Sequence, residues 1–276
     1  LTKEEVRELQ QIAQRLRLSI VKSVAAAGSG HPGGSLSIAD ILATLYFKEM
    51  RIDPKNPAWP DRDRFVLSKG HAAPALYAVL AEAGFIDKEE LMTLRQLGSR
   101  LQGHPSMRHV PGVEISTGSL GQGLSAANGM AIAAKLDNRP TRVYAIIGDG
   151  ESQEGQIWEA SMTSVHYKLD NLMVFLDYNG LQIDGRVHDV KSFRDPGAKW
   201  QAFGWHVLEI DGHDIEAIYS ACQEAKATKG KPTMVVAHTV KGKGVPFMEN
   251  IADWHGKAPS KEQAEEAIRY LEASLV

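Results

Sequence analysis

The stretch between residues 142 and 185 constrains the fold more than any other part of the chain. Arg142-Val-Tyr-Ala-Ile-Ile147 is an apolar run that passes directly into Gly148-Asp-Gly150. A helical pattern over 153–167 follows, and then a second run, Leu172-Met-Val-Phe-Leu-Asp177. Strands this apolar on both faces, joined by a helix-length crossover, belong to a parallel sheet covered by helices on both sides. Two more strand patterns, over 205–210 and 233–237, flank a helix over 214–228 and extend the same α/β architecture. In such sheets ligands lie in the crevice at the carboxyl ends of the strands. Gly148-Asp-Gly150 falls there.

The first half of the chain is less regular. Residues 2–26 read as an amphipathic helix opened by a Thr2/Glu5 capping box, with Val6, Leu9, Ile12, Leu16, Ile20 and Val24 at helical spacing. A glycine-rich loop over 28–34 ends it, and a second helix is expected over 37–50. The segment 51–63 carries Pro54, Pro57 and Pro60 and reads as a loop. Residues 65–67 form a short strand, and an alanine-rich helix starts near 72. The tail over 260–274 is a polar, glutamate-rich helix. With no linker or repeat, the expectation is a single domain over 1–276.

Composition narrows the function. Hydrophobic residues make up 43% and charged residues 24%, which excludes a disordered chain. A net charge of −3 gives no nucleic-acid footprint. No apolar run approaches the roughly 18–20 residues of a membrane span. No signal-peptide pattern opens the chain, which begins with Leu1 rather than Met. The single cysteine, Cys222, allows no internal disulfide, and a reducing cytoplasm is the expected compartment.

Glycine clusters at 28–34, 118–123, 148–155 and 242–244 mark places where backbone approaches closely. Gly28-Ser-Gly30-His-Pro-Gly33 matches GxGxxG, but a helix precedes it where a dinucleotide fold needs a strand. Gly121-Gln-Gly123-Leu-Ser-Ala126 could follow a short strand over 113–116, yet no acidic residue lies about twenty positions on. The sequence contains no phosphate-loop, HExxH or GxSxG pattern.

The informative pair is Asp149 and Asn179. Each ends a strand pattern and one helix separates them, so they face one crevice from neighbouring strand ends. A carboxylate, an amide oxygen and a nearby backbone carbonyl are hard oxygen donors that suit Mg²⁺, or Ca²⁺ in its place, completed by diphosphate and water. The helix expected to begin near Glu151 would aim its N-terminal N–H groups at that diphosphate. Taken singly, Gly-Asp-Gly and Asn-Gly are ordinary turns; their spacing sets them apart.

Ten histidines are present. His109, His166, His188, His206, His213 and His238 read as surface or core residues. His31, His71 and His104 each follow a glycine in a loop, and His255 follows Trp254 in another. Imidazole in such loops can donate to or accept from hydroxyl groups near neutral pH.

The Gly-Asp-Gly…Asn signature resembles the thiamine diphosphate motif, and its surroundings resemble the N-terminal region of the transketolase family. Six blocks carry the resemblance in family order: Ser29-Gly-His-Pro-Gly33; Asp63-Arg-Phe-Val-Leu-Ser-Lys-Gly-His71; Gly103-His-Pro105; Ser116-Thr-Gly-Ser-Leu-Gly-Gln-Gly123; Gly148-Asp-Gly150 through Gln153-Glu-Gly155; and Trp254-His-Gly256. The resemblance implies a three-layer α/β thiamine diphosphate-binding fold with a mainly parallel central sheet. It implies that Asp149, Asn179 and the Leu181 carbonyl hold Mg²⁺. His71, Gly118, Gly150 and His255 would contact the diphosphate, with Leu120 and Ile183 beside the cofactor rings. His31, His104 and His255 would line the substrate channel as catalytic residues, and Glu154 matches a glutamate at the family's subunit interface.

Full transketolases continue through a pyrimidine-binding domain and a C-terminal domain, and nothing after His255 supplies either. Val240-Lys-Gly-Lys-Gly-Val-Pro-Phe247 resembles the form found in split transketolases. The expectation is therefore the N-terminal subunit of a two-chain enzyme, active with a C-terminal partner subunit in a two-fold heterotetramer. It would transfer a two-carbon ketol group from a ketose phosphate to an aldose phosphate. The alternatives are a subunit of another two-chain thiamine diphosphate enzyme, for an unusual sugar or a 2-oxo acid, and a non-catalytic cofactor-binding regulatory subunit. Neither nucleic acid nor membrane is an expected partner.

Overall fold

The computed structural model describes residues 1–192 and 194–275. Helix α1, Lys3–Ala27, opens on the expected capping box: the Thr2 hydroxyl accepts the Glu5 N–H at 3.2 Å, and the Glu5 carboxylate accepts the Thr2 N–H at 2.7 Å. It ends where Gly28 takes a left-handed φ of 60°. The glycine-rich segment departs from the expected loop, because α2, Pro32–Leu36, lies inside it. Pro32 is pre-set for a first helical turn. Gly33 is there for space: a Cβ would lie 2.9 Å from the Trp254 carbonyl and 3.0 Å from Lys241 Cγ. The expected helix over 37–50 is divided into α3, Ala39–Thr44, and a π-turn over Leu45–Glu49.

Strand β1, Arg64–Leu67, leads through a 3₁₀ turn into α4, Ala73–Ala83. The segment 113–116 is loop, so α5, Gly123–Leu136, follows no strand. Next come β2, Val143–Gly148, then α6, Gly155–His166, and β3, Leu172–Tyr178. The short antiparallel pair β4, Leu181–Gln182, and β5, Gly185–Arg186, precedes α7, Val187–Lys191, and α8, Pro196–Ala202. The chain continues with β6, His206–Asp211, α9, Ile215–Ala227, β7, Thr233–His238, and α10, Lys261–Ala273.

The central sheet has the order β1-β2-β3-β7-β6, and every pairing is parallel. Alternation along the strands assigns side chains to two layers. Val143, Ala145, Ile147, Leu172, Val174 and Leu176 pack against α5, α6 and Trp200. Tyr144, Ile146, Met173 and Phe175 face a second layer built from α1, α3, α4, α9 and α10. This is the three-layer arrangement, and it explains why the central runs are apolar at every position. Cys222 is buried in the second layer, and burial pushes its thiol up. Among the described residues no helix is long and apolar enough to cross a membrane.

Candidate active site

The register pairs Gly148 with Asp177, so the turns that follow β2 and β3 leave the sheet side by side. Asp149 bridges them: its Oδ1 accepts the Gly150 N–H at 2.8 Å, and its Oδ2 accepts the Gly180 N–H at 2.6 Å. Asn179 turns its Oδ1 toward the Leu181 N–H, 3.1 Å away, because its Nδ2 donates to Asp177 Oδ2 at 2.8 Å. Burial and the Asp177 carboxylate push the Asp149 carboxyl up. A carboxylate held there gains from a cation.

These turns open on a cavity of about 210 Å³ at the carboxyl end of the sheet. His71, Leu120, Asp149, Gly150, Glu154, Asn179, Leu181, Ile183 and His255, all anticipated from the sequence, line it. His31, His104 and Gly118 lie outside that lining but adjoin it. The rings of His71 and His255 stack with centroids 4.9 Å apart, and His31 is 5.4 Å from His71, 5.5 Å from His255 and 6.4 Å from His104. The four histidines picked out by their loop context thus form one cluster. Gly118 holds its place through close packing, since a Cβ on Gly70 would lie 2.6 Å from the Gly118 nitrogen.

Burial is the first reason these imidazoles stay neutral, and neighbouring cations are the second. Desolvation, with Arg95 and His104 close by, brings His31 down to about 4. Desolvation and Lys241 bring His255 down to about 3, while His71, beside Lys69, is lowered further still. His104 is lowered by partial burial and Arg95. Lys241 Nζ donates to His255 Nδ1 at 2.9 Å, which leaves the proton of that ring on Nε2. The lysines that help keep the histidines neutral, Lys69 and Lys241, line the cavity beside the carboxylates of Asp149 and Asp177.

Sequence reasoning missed the charges beneath this site. Asp177 is fully buried and accepts from Lys69 Nζ at 2.6 Å, Ser37 Oγ at 2.8 Å, Asn179 Nδ2 and Thr239 Oγ1. Lys69 Nζ also donates to the Gly34 carbonyl at 2.6 Å, and Lys241 Nζ donates to the Leu181 carbonyl at 3.1 Å. Glu151 is buried as well, taking the N–H groups of Gly121 and Gly148 and the Ser68 hydroxyl. Its inward turn corrects the expected helix start. Residues Glu151–Gln153 make a 3₁₀ turn, α6 begins only at Gly155, and no helix N-terminus opens at Glu151. Asp177 carries a readable signal, a carboxylate closing an apolar strand run, which must find partners once buried.

The donor set fits a hard divalent cation. Each Asp149 oxygen accepts a single backbone N–H, which leaves it a free lone pair, and the bond to Gly180 ties the carboxylate to the Asn179–Leu181 turn. Among the described residues no three His, Cys, Asp or Glu side chains group as metal ligands, so a cation held here would take the rest of its shell from other oxygen donors.

A parallel sheet with oxygen donors and buried lysines gathered at its carboxyl edge has the form of a cofactor-binding α/β domain. The chain belongs to the transketolase family: the family model "Transketolase, thiamine diphosphate binding domain" matches residues 8–271. It is 48% identical over 269 residues to the 6-deoxy-6-sulfo-D-fructose transketolase subunit SqwG of Clostridium sp. (strain MSTE9), covering 98% of both chains. It is also 48% identical to one of the subunits of the apulose-4-phosphate transketolase of Phocaeicola vulgatus, covering 96% of this chain and 93% of the relative. Against human transketolase the identity is 44%, with 99% of this chain but only 43% of the relative covered. The fold superimposes on transketolase from Leishmania mexicana with a TM-score of 0.90 at 37% identity, spanning 97% of this chain and 41% of that one. The chain therefore matches subunit-length relatives end to end and less than half of full-length ones.

Proposed function

We propose that this chain is the diphosphate-binding subunit of a two-chain transketolase. With a partner carrying the pyrimidine-binding domain, it transfers a two-carbon ketol group from an anionic ketose to an aldose phosphate. The observation that carries this reading is the convergence of His31, His71, His104 and His255 beside the Asp149–Asn179 turns. Asp149, Asn179 and the Leu181 carbonyl would hold Mg²⁺, with Lys241 yielding that carbonyl or sharing it. Bound thiamine diphosphate supplies a nucleophilic carbon able to cleave the bond next to a ketose carbonyl. The roles left to the protein are positional and electrostatic. Neutral imidazoles present N–H groups to sugar oxygens and to charge developing on them, and Arg95 adds a cation beside His31 and His104.

Support for a partner comes from the rim. Ile183 lines the cavity yet is 69% exposed, and Glu154 is exposed beside it. An apolar wall open to solvent at a cofactor site gains from being covered. The partner is proposed to cover this edge within a two-fold heterotetramer, the symmetric closure commonest among oligomers. The names of two subunit-length relatives favour a donor outside the common sugar phosphates, because one specifies a sulfonated fructose and the other apulose 4-phosphate. The working compartment is proposed to be the cytoplasm.

The test is an assay of the purified chain with excess thiamine diphosphate and Mg²⁺, followed by titration with the partner chain against a panel of phosphorylated and sulfonated ketoses. Turnover is expected only after the partner is added. Robust turnover by the chain alone overturns the two-chain reading, and binding without turnover in the complex favours a regulatory role.

A further inference from the structure

A second polar groove, of about 480 Å³, lies where α1 meets the segment after β7. Along α1, Arg7, Gln10, Gln14 and Arg17 recur at helical spacing and form one side of it; Lys243 and His213 form the other. Among the described residues the one carboxylate in the lining, Asp40, is already neutralised, since it accepts from Arg17 Nη2 and from His213 Nδ1, the latter at 2.7 Å. Arg17 is 5% exposed, and its Nε is buried with no hydrogen-bond partner. Arg7 and Lys243 make no ion pair among the described residues. Among the described residues the groove thus holds a surplus of positive charge, and the buried, unpartnered Arg17 Nε carries a cost that a ligand would relieve.

From this we infer an anion site for a phosphate monoester, separate from the diphosphate cavity. Gln14 already donates to the Leu271 carbonyl. Beyond the Arg17–Asp40 pair, the Arg7 and Lys243 cations, the Arg17 Nε and the Gln10 amide offer more donors than a carboxylate accepts, and they match the oxygens of a tetrahedral group. The volume leaves room for a carbon skeleton beyond the phosphate. His213 supplies a built-in reporter. Its Nε2 accepts the Val240 N–H at 2.9 Å while its Nδ1 donates to Asp40, so its ring lies between the groove and the strand end that carries Lys241.

The experiment is NMR of ¹⁵N-histidine-labelled protein, with thiamine diphosphate and Mg²⁺ present, titrated at constant ionic strength with inorganic phosphate, with D-glucose 6-phosphate and with sodium chloride. Both phosphates are expected to move the His213 signals saturably, with the ester at lower concentration, while chloride moves them little. The R7Q/K243Q double variant, which leaves the buried Arg17–Asp40 pair intact, should keep the wild-type melting temperature and lose affinity about tenfold. A response confined to His71 and His255 overturns the proposal, since it places the anion in the cofactor cavity. An equal response to chloride, or wild-type affinity in the double variant, also overturns it. Tighter binding of inorganic phosphate than of the ester assigns the free ion as occupant and rejects the monoester.

Discussion

The charged network around Asp177 and the histidine cluster around His31 both bury polar chemistry at the same sheet edge, and they are completed to different degrees. Asp177 has four side-chain donors from four separate parts of the chain, among them a lysine that is itself buried. His31 keeps a buried Nδ1 without a partner, and in the loop beside His104 the Thr117 hydroxyl is likewise unpaired. A buried polar group without a partner costs free energy, so chains rarely retain one without a use. The contrast separates two tasks. The network is satisfied by the protein alone and holds the turns in place; the cluster leaves capacity for something the protein does not contain.

The sharpest way to break this comparison is at Asp149, whose hydrogen bonds among the described residues come from the backbone N–H groups of Gly150 and Gly180. Asp149→Ala should abolish Mg²⁺-dependent binding of thiamine diphosphate, because the diphosphate loses its main charge compensation. Calorimetric titration of the assembled complex with and without Mg²⁺ checks this, and near-wild-type affinity would remove the metal assignment. Asp177→Asn belongs to the frame. It leaves Lys69 buried without its counter-ion and should cost about 3–5 kcal/mol in chemical denaturation. A loss under about 1 kcal/mol would mean that the network supports less than its geometry implies.

His104→Ala tests the opposite limb. Stability should change by no more than about 0.5 kcal/mol. Turnover in the complex should fall roughly a hundredfold, about 3 kcal/mol of lost transition-state stabilisation, with cofactor affinity kept. Unchanged turnover together with lost cofactor binding would move His104 from the substrate to the cofactor.

The smallest effect is in pH dependence. His31 and His255 have folded-state values of about 4 and about 3, below the ordinary 6.5. Because the folded values are depressed, their contribution to stability is complete above about pH 6.5 and declines as the pH falls toward 4 and then 3. Ring-proton titration by NMR on the unliganded chain should find both midpoints below 5. A midpoint near 6.5 for either would show that its ring is solvated and not held in the cluster.

Much of this molecule is legible one element at a time. The runs over 142–147, 172–177 and 233–237 become strands within a residue at each end, because apolar character on both faces leaves a buried parallel strand as the only satisfactory home. The Thr2 capping box and the glycine after Ala27 set the limits of α1 through local hydrogen bonds alone. The glycine-rich segment misleads a local reading because Gly33 answers to neighbours more than two hundred residues away, Lys241 and Trp254. The start of α6 escapes such a reading because Glu151 serves the turns of Ser68, Gly121 and Gly148 instead of its own helix.

The sequence by itself determined the strand–helix alternation and the two turns that carry Asp149 and Asn179, since each depends on spacing and residue type within a short window. Of the four histidines expected in loops, His71 and His255 lie instead in the 3₁₀ turns Gly70–Ala72 and Ala252–His255. Tertiary structure alone decided that those histidines meet and stay neutral, that Lys69 and Lys241 lie under the cavity, and that Asp177 orients Asn179. Those outcomes depend on desolvation and on charges brought together from distant segments. Burial changes the energy of a charge by several kcal/mol per ion, and only the assembled sheet settles which charges are buried together.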